Sequence, residues 1–157
     1  MANRKPRSEA EWHRKWAAAL FNRVWTLLLK KRRSKDDVDE MIHAAHASRY
    51  HWSKVGTAKH LAIGEWQVSR VYAVLRRPEP ALWHARRSLE ICEAHRVGDF
   101  PLAFAHEALA RAYAVAGRKR DVRRHLGLAR EAAMEIEEKE DRELLFRDLA
   151  SIARVRP

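Results

Sequence analysis

Val71, Tyr72, Ala73 and Val74 return 41 residues later as Ala112, Tyr113, Ala114 and Val115, and each copy runs into a tight turn followed by a second helical pattern. Self-similarity at this period restricts the fold more than any other feature. A repeated unit of that size cannot bury its apolar face alone and must stack on its neighbours. Around both copies the apolar residues recur at steps of three and four, the spacing of one helix face rather than of a strand. Only five Gly and five Pro interrupt a chain rich in Ala, Leu, Arg and Glu, so helix formers dominate and turn formers are scarce. The sequence predicts an all-α fold, and 157 residues suffice for one continuous core but not two.

Start and stop signals divide the chain into seven helices. Residues 1–7 read as a disordered basic arm, after which Ser8 caps a helix with Glu9 and Glu11 in its first turn. That helix carries Trp12, Trp16, Leu20, Val24, Leu27 and Leu28 on its apolar stripe, widened by Phe21, Trp25 and Leu29, and ends near Lys31. Ser34 opens a second helix that Gly56 stops, and Thr57 opens a third that closes at Arg76, Arg77 and Pro78. A fourth is expected over about 79–96, a fifth from Asp99, Phe100 and Pro101 to Gly117, and a sixth over about 119–138. A seventh, over 141–154 with Leu144, Leu145, Leu149 and Ile152, would cap the open end of the stack. Residues 8–157 are thus expected to form a single domain of stacked antiparallel helical hairpins, with the clearest repeats at 61–97 and 101–138.

In the second copy Ala110, Tyr113, Gly117, Val122, Leu126 and Ala129 follow one another as small residue, Tyr, Gly, then small or apolar positions on the returning helix. Ser69, Tyr72, Arg76, Ala81, Ala85 and Ser88 hold the same offsets in the first copy. This pattern resembles the tetratricopeptide repeat (TPR), whose small side chains sit where helices cross closely and whose Tyr fills the space between units. The period of 41 exceeds the family's 34 and implies longer helices, and Arg76 stands where the family prefers Gly. The resemblance implies a TPR-like α-solenoid in which the first helix of each hairpin lines a concave groove. On that implication Ile63, Trp66 and Arg70 face the groove from one hairpin and Phe104, Glu107 and Arg111 from the next; the expected binding set adds His46 and Arg49 from the second helix.

Arg70 and Arg111 are related by the same 41-residue step. Two stacked guanidiniums with aromatic neighbours suit a carboxylate or phosphate held by forked hydrogen bonds. Pairing with local acids such as Glu65 and Glu107 is the alternative. The function expected is a binding or adaptor module that holds an acidic peptide, a protein partner or a small anionic ligand.

Other chemistry has weaker footing. In the segment 43–51, His43, His46 and Tyr50 share a helix face, but an i, i+3 His pair needs further ligands, and Glu40 is the only local candidate, so no metal site is predicted. His46, Glu65, His84, Asp99, His106 and Glu107 are groups able to titrate near neutrality. No phosphate loop, dinucleotide fingerprint, nucleophile elbow or HExxH accompanies them, so no catalytic residue and no cofactor is assigned, and a small enzyme or metal-binding protein is the third reading. The lone Cys92 reads as a buried spacer rather than a nucleophile activated by His95, and a reduced, cytoplasmic setting is expected. Of six tryptophans, Trp12, Trp16 and Trp25 are expected in the core, and Trp52, Trp66 and Trp83 among polar groups.

The net charge of +11 is concentrated: residues 1–35 hold 11 Lys and Arg against 2 acids. Arg4, Lys5 and Arg7, together with Lys30, Lys31, Arg32, Arg33 and Lys35, either attract a polyanion or form a solvated basic end. Nucleic-acid binding through this segment is the alternative function. No stretch reaches the roughly 18 apolar residues of a membrane span, so none is expected.

Overall fold

A computed structural model of the chain describes residues 8–155. Seven helices follow one another: α1 Glu9–Leu28, α2 Lys35–Val55, α3 Ala58–Val74, α4 Pro78–His95, α5 Asp99–Val115, α6 Lys119–Ala133 and α7 Lys139–Ile152. There is no strand among the described residues. The local signals act as their chemistry requires. Ser8 and Ser34 each accept the backbone N–H three residues on, while Glu11 and Asp37 reach back to the cap N–H, closing two capping boxes. Gly117 ends the α5 turn at φ 72°, and Arg76 occupies the corresponding turn after α3 at φ 56°. That left-handed conformation costs a residue with a Cβ about 1–2 kcal/mol, the penalty for departing from the glycine pattern.

α6 is shorter than its apolar pattern suggests. It stops at Ala133 because Ile136 turns inward and is buried, and Arg142 donates to the Ile136 carbonyl at 2.9 Å to hold the turn.

The helices pair as α1 with α2, α3 with α4 and α5 with α6, an all-α stack of hairpins. Neighbouring hairpins meet through α2–α3, α4–α5 and the first helices, and α7 packs chiefly on α5. The first helices and α7 form one layer, and α2, α4 and α6 form the other, with their backbones apart. Buried serines set the close crossings: Ser48 Oγ donates to the Ala17 carbonyl at 2.7 Å, and Ser88 Oγ to the Ala62 carbonyl at 2.8 Å. Gly64 admits α2 against α3, since a Cβ there would lie 2.7 Å from Arg49 Cδ.

One expectation about the tryptophans is corrected. Trp12 and Trp16 are 43% and 45% exposed rather than in the core. They lie on the face of α1 that the other described helices leave uncovered, and Lys15 Nζ sits 4.9 and 5.5 Å from their ring centres. Of the basic N-terminal segment, the structure describes only the part from Ser8 onward. Ser8 and the turn at 29–34 lie at opposite ends of the 20-residue α1, about 30 Å apart. Arg4, Lys5 and Arg7 lie outside the described residues.

Candidate functional site: an aromatic cleft over a buried ionic network

Because the first helices share one layer, residues of α1, α3 and α5 make a common wall, of which Trp66 and Phe104 are largely buried. Trp25 of α1, Trp66 of α3 and Phe104 of α5 form a ladder, with ring centres 5.5 Å apart between Trp25 and Trp66 and 5.1 Å between Trp66 and Phe104. Phe21 and Phe100 extend it by edge contacts at 6.4 and 6.2 Å. These rings, with Ile63, Pro101, Leu144 and Asp141, line a cleft of ≈ 330 Å³. A second hollow of ≈ 190 Å³ adjoins it through Phe21 and Ile63 and is lined further by Trp52 and His60. Lys59 Nζ lies 4.6 Å over the Phe100 ring at the rim.

Directly behind the ladder sits Glu107, fully buried. Its Oε2 accepts the Trp66 indole N–H at 2.9 Å. Its Oε1 accepts from Arg70 NH1 at 3.0 Å and from Arg111 Nε at 2.7 Å, and Arg111 NH2 lies 2.6 Å away. α7 closes the network: Arg70 NH2 is 2.9 Å from Asp148 Oδ2, and Arg111 NH2 donates to the Asp148 carbonyl at 2.9 Å and Ser151 Oγ at 2.8 Å. Burial would raise the Glu107 carboxyl, but Arg111 and Arg70 outweigh it and hold the group below the ordinary carboxylate range. Burial pushes the Asp148 carboxyl up, against the pull of Arg70.

The structure therefore brings together Trp66, Arg70, Phe104, Glu107 and Arg111, five of the seven residues expected to bind. It assigns them two tasks. Trp66 and Phe104 offer ring surface to the cleft, while Arg70 and Arg111 turn their forks to Glu107, Asp148 and Ser151, the internal pairing that was the alternative. The Trp66 N–H is likewise engaged. The ionic network fixes the wall, and the aromatic rings line the cleft.

His46 and Arg49 belong to a separate cluster built on α2, α3 and α4. Arg49 Nε donates to Glu65 Oε1 at 2.9 Å, His84 Nδ1 lies 2.6 Å from Glu65 Oε2, and His46 Nε2 lies 3.0 Å from the Tyr72 hydroxyl. Burial and then the neighbouring His84 lower the His46 pKa. Burial would raise the Glu65 carboxyl, and His84 with Arg49 bring it below its usual value. The next hairpin repeats the plan. His84 stacks on Tyr72 at 5.9 Å, His125 stacks on Tyr113 at 5.5 Å, and His106, at the position of Glu65, meets His125 with Nδ1 atoms 3.2 Å apart. Recurrence of the His–Tyr stack at equivalent positions marks it as part of how the two helices of one hairpin pack together.

Sequence reasoning missed Phe21 and Trp25, which it placed in the core, and Asp148 and Ser151 of α7. A signal for the first pair exists: aligning Ala17 with Ala62, the two carbonyls that receive buried serines, sets Phe21 and Trp25 at the positions of Trp66 and Arg70. Nothing in the spacing of α7 singles out Asp148. Among the described residues no group of three or more His, Cys, Asp or Glu is arranged to hold a metal ion, and no helix is long and apolar enough to cross a membrane. No family model matches the chain, and no curated protein or solved structure matches it.

Proposed function

We propose that the chain is a TPR-like binding module whose concave cleft receives a peptide of a protein partner. An aromatic or long aliphatic side chain of that peptide would enter between Trp25, Ile63, Trp66 and Phe104, and acidic residues would lie along the α1–α3 rim. The observation that carries this reading is the aromatic ladder itself: five rings on three helices around an apolar hollow, a concave surface of the kind that buries most of a bound group. Rings present large contact area with little entropy to lose, which is why they anchor interfaces. The acidic preference rests on Lys59 over Phe100 and on Arg14 and Lys59, whose charges both act on His60 beside the adjoining hollow and, after burial, lower its pKa. The tetratricopeptide resemblance supports the same face, since the first helices line the groove in that family.

The test is selection of binders from a displayed peptide library on the wild-type protein, followed by titration of the selected peptides. Ile63→Glu places a carboxylate in the cleft and is expected to weaken peptides of the predicted type at least tenfold while circular dichroism stays unchanged. Peptides that bind the variant as tightly as the wild type would show that the cleft is not the site.

A further inference from the structure

We propose that the edge of the stack formed by the three turns within hairpins is a docking surface for the phosphodiester backbone of a double-helical nucleic acid. The hairpins run side by side, so the α1–α2, α3–α4 and α5–α6 turns lie along one edge. α7 ends there too, for Ile152 and Val155 line a hollow with Gly117, Lys119 and Arg123. Segments 29–39, 75–79 and 116–123, which make this edge, hold eleven Lys and Arg against five Asp and Glu. The other edge leans the opposite way: segments 53–59, 93–99 and 131–141 hold four Lys and Arg against eight acids. Solubility would be served equally by scattered charge, so the sorting of cations to one edge calls for a partner.

Part of the basic edge is internally engaged. Lys30 Nζ lies 2.6 Å from Asp37, Arg118 Nε lies 2.8 Å from Asp121, and Arg33 caps the α1 carbonyls of Leu27 and Leu28. Lys31, Arg32, Lys35, Arg77, Lys119 and Arg120 are exposed and form no ion pair among the described residues. Packed helices stand about 8–10 Å apart, so successive turns present cations at a regular step along a line, which fits a charged polymer better than a small anion. Arg outnumbers Lys in these segments, and its planar fork matches phosphate oxygens. No Phe, Trp or Tyr occurs in them, so there is no platform on which the bases of a single strand could stack. Leu29 is their only large apolar side chain in full view, too little to enter a lipid surface. What remains is backbone contact to a duplex, tolerant of sequence.

The experiment is fluorescence anisotropy of the full chain with a labelled DNA duplex, an RNA duplex, a single strand and phosphatidylserine vesicles, at several salt concentrations. Both or either duplex should bind, with affinity falling steeply as salt rises. Arg77→Gln with Lys119→Gln and Arg120→Gln should weaken duplex binding about tenfold or more and reduce the log–log salt slope by about 0.9 for each phosphate that is no longer neutralised. Lys54→Gln with Lys139→Gln, away from this edge, should leave both quantities unchanged, and circular dichroism should be the same for all proteins. The proposal is overturned by absence of duplex binding at low salt, by single strand or vesicles binding as well as duplex, or by retained binding in the triple variant. Retained binding in the triple variant with loss on neutralising Arg4, Lys5 and Arg7 would move the site to the N-terminal arm.

Discussion

Replacing Glu107 by glutamine isolates the charge at the centre of the groove wall. Four donors converge on the two carboxylate oxygens: Trp66 Nε1, Arg70 NH1, and Nε and NH2 of Arg111. Glutamine has nearly the same volume but only one acceptor oxygen, so its amide NH2 must face either the indole N–H or the guanidiniums, donor against donor. Arg70 would retain Asp148, whereas Arg111 would keep only neutral acceptors, the Asp148 carbonyl and Ser151. Removing one partner from a buried pair costs about 3–5 kcal/mol. In a chain of this size each kcal/mol moves the melting temperature by about 2–4 °C, so Tm should fall by roughly 10 °C. Thermal and urea unfolding followed by circular dichroism would measure it, with the urea m-value unchanged if only stability is altered. Arg23→Gln, which breaks the exposed Arg23–Glu40 pair, is the matched surface control. A Tm for Glu107→Gln no lower than that of the control would refute the idea that this carboxylate organises the groove.

Acid should destabilise the fold before the carboxylates titrate. Burial, then His125 and Arg124, push the His106 pKa down to about 4, so between about pH 6.5 and 4 the unfolded chain binds a proton that the folded one refuses. Stability is therefore complete above the unfolded value and is lost as pH falls through that window, by up to about 3 kcal/mol from this group. Urea midpoints at pH 7.5 and 5.0 should show the loss, and His106→Gln should reduce it, with His46, His51, His60 and His125, whose pKa values are also lowered, carrying the remainder. Burial, then Glu93, raises the Cys92 thiol to about 11, so the native protein should resist a thiol reagent at pH 8 and react only at its unfolding rate. Fast labelling would place Cys92 outside the core.

What the sequence disclosed and what it withheld follow from the range of the interactions. Helix ends were legible where the chemistry is local, as with Ser8 and Glu11, Ser34 and Asp37, and Gly117. The hairpin repeat was legible because Tyr72 and Tyr113 keep their spacing whatever surrounds them. The end of α6 was not, because Ile136 leaves the helical register to reach a core made by other helices. Trp12, Trp16, Phe21 and Trp25 share one apolar stripe, and which of them meets solvent is decided by where α3 packs along α1: Trp25 meets Trp66, while Trp12 and Trp16 stay exposed. Arg70 and Arg111 were recognisable as a pair, while their engagement with Asp148 and Ser151 depends on where α7 lands. The distribution of charge was hidden in a different way: the runs at 30–35 and 118–120 are distant in sequence and share an edge only after the turns align.

Trp66 and Glu107 stand at the same place in successive hairpins and are bonded to each other. Identical units could not make that bond, since two tryptophans would face each other as donors and two glutamates as like charges. The hairpins are therefore no longer interchangeable parts. An extra copy spliced between them, or an exchange of their order, would separate indole from carboxylate and leave Arg70 and Arg111 facing the wrong neighbours. Whatever duplications built the array, the order of these two units is now written into its interior, and another unit cannot be added between them without breaking that bond.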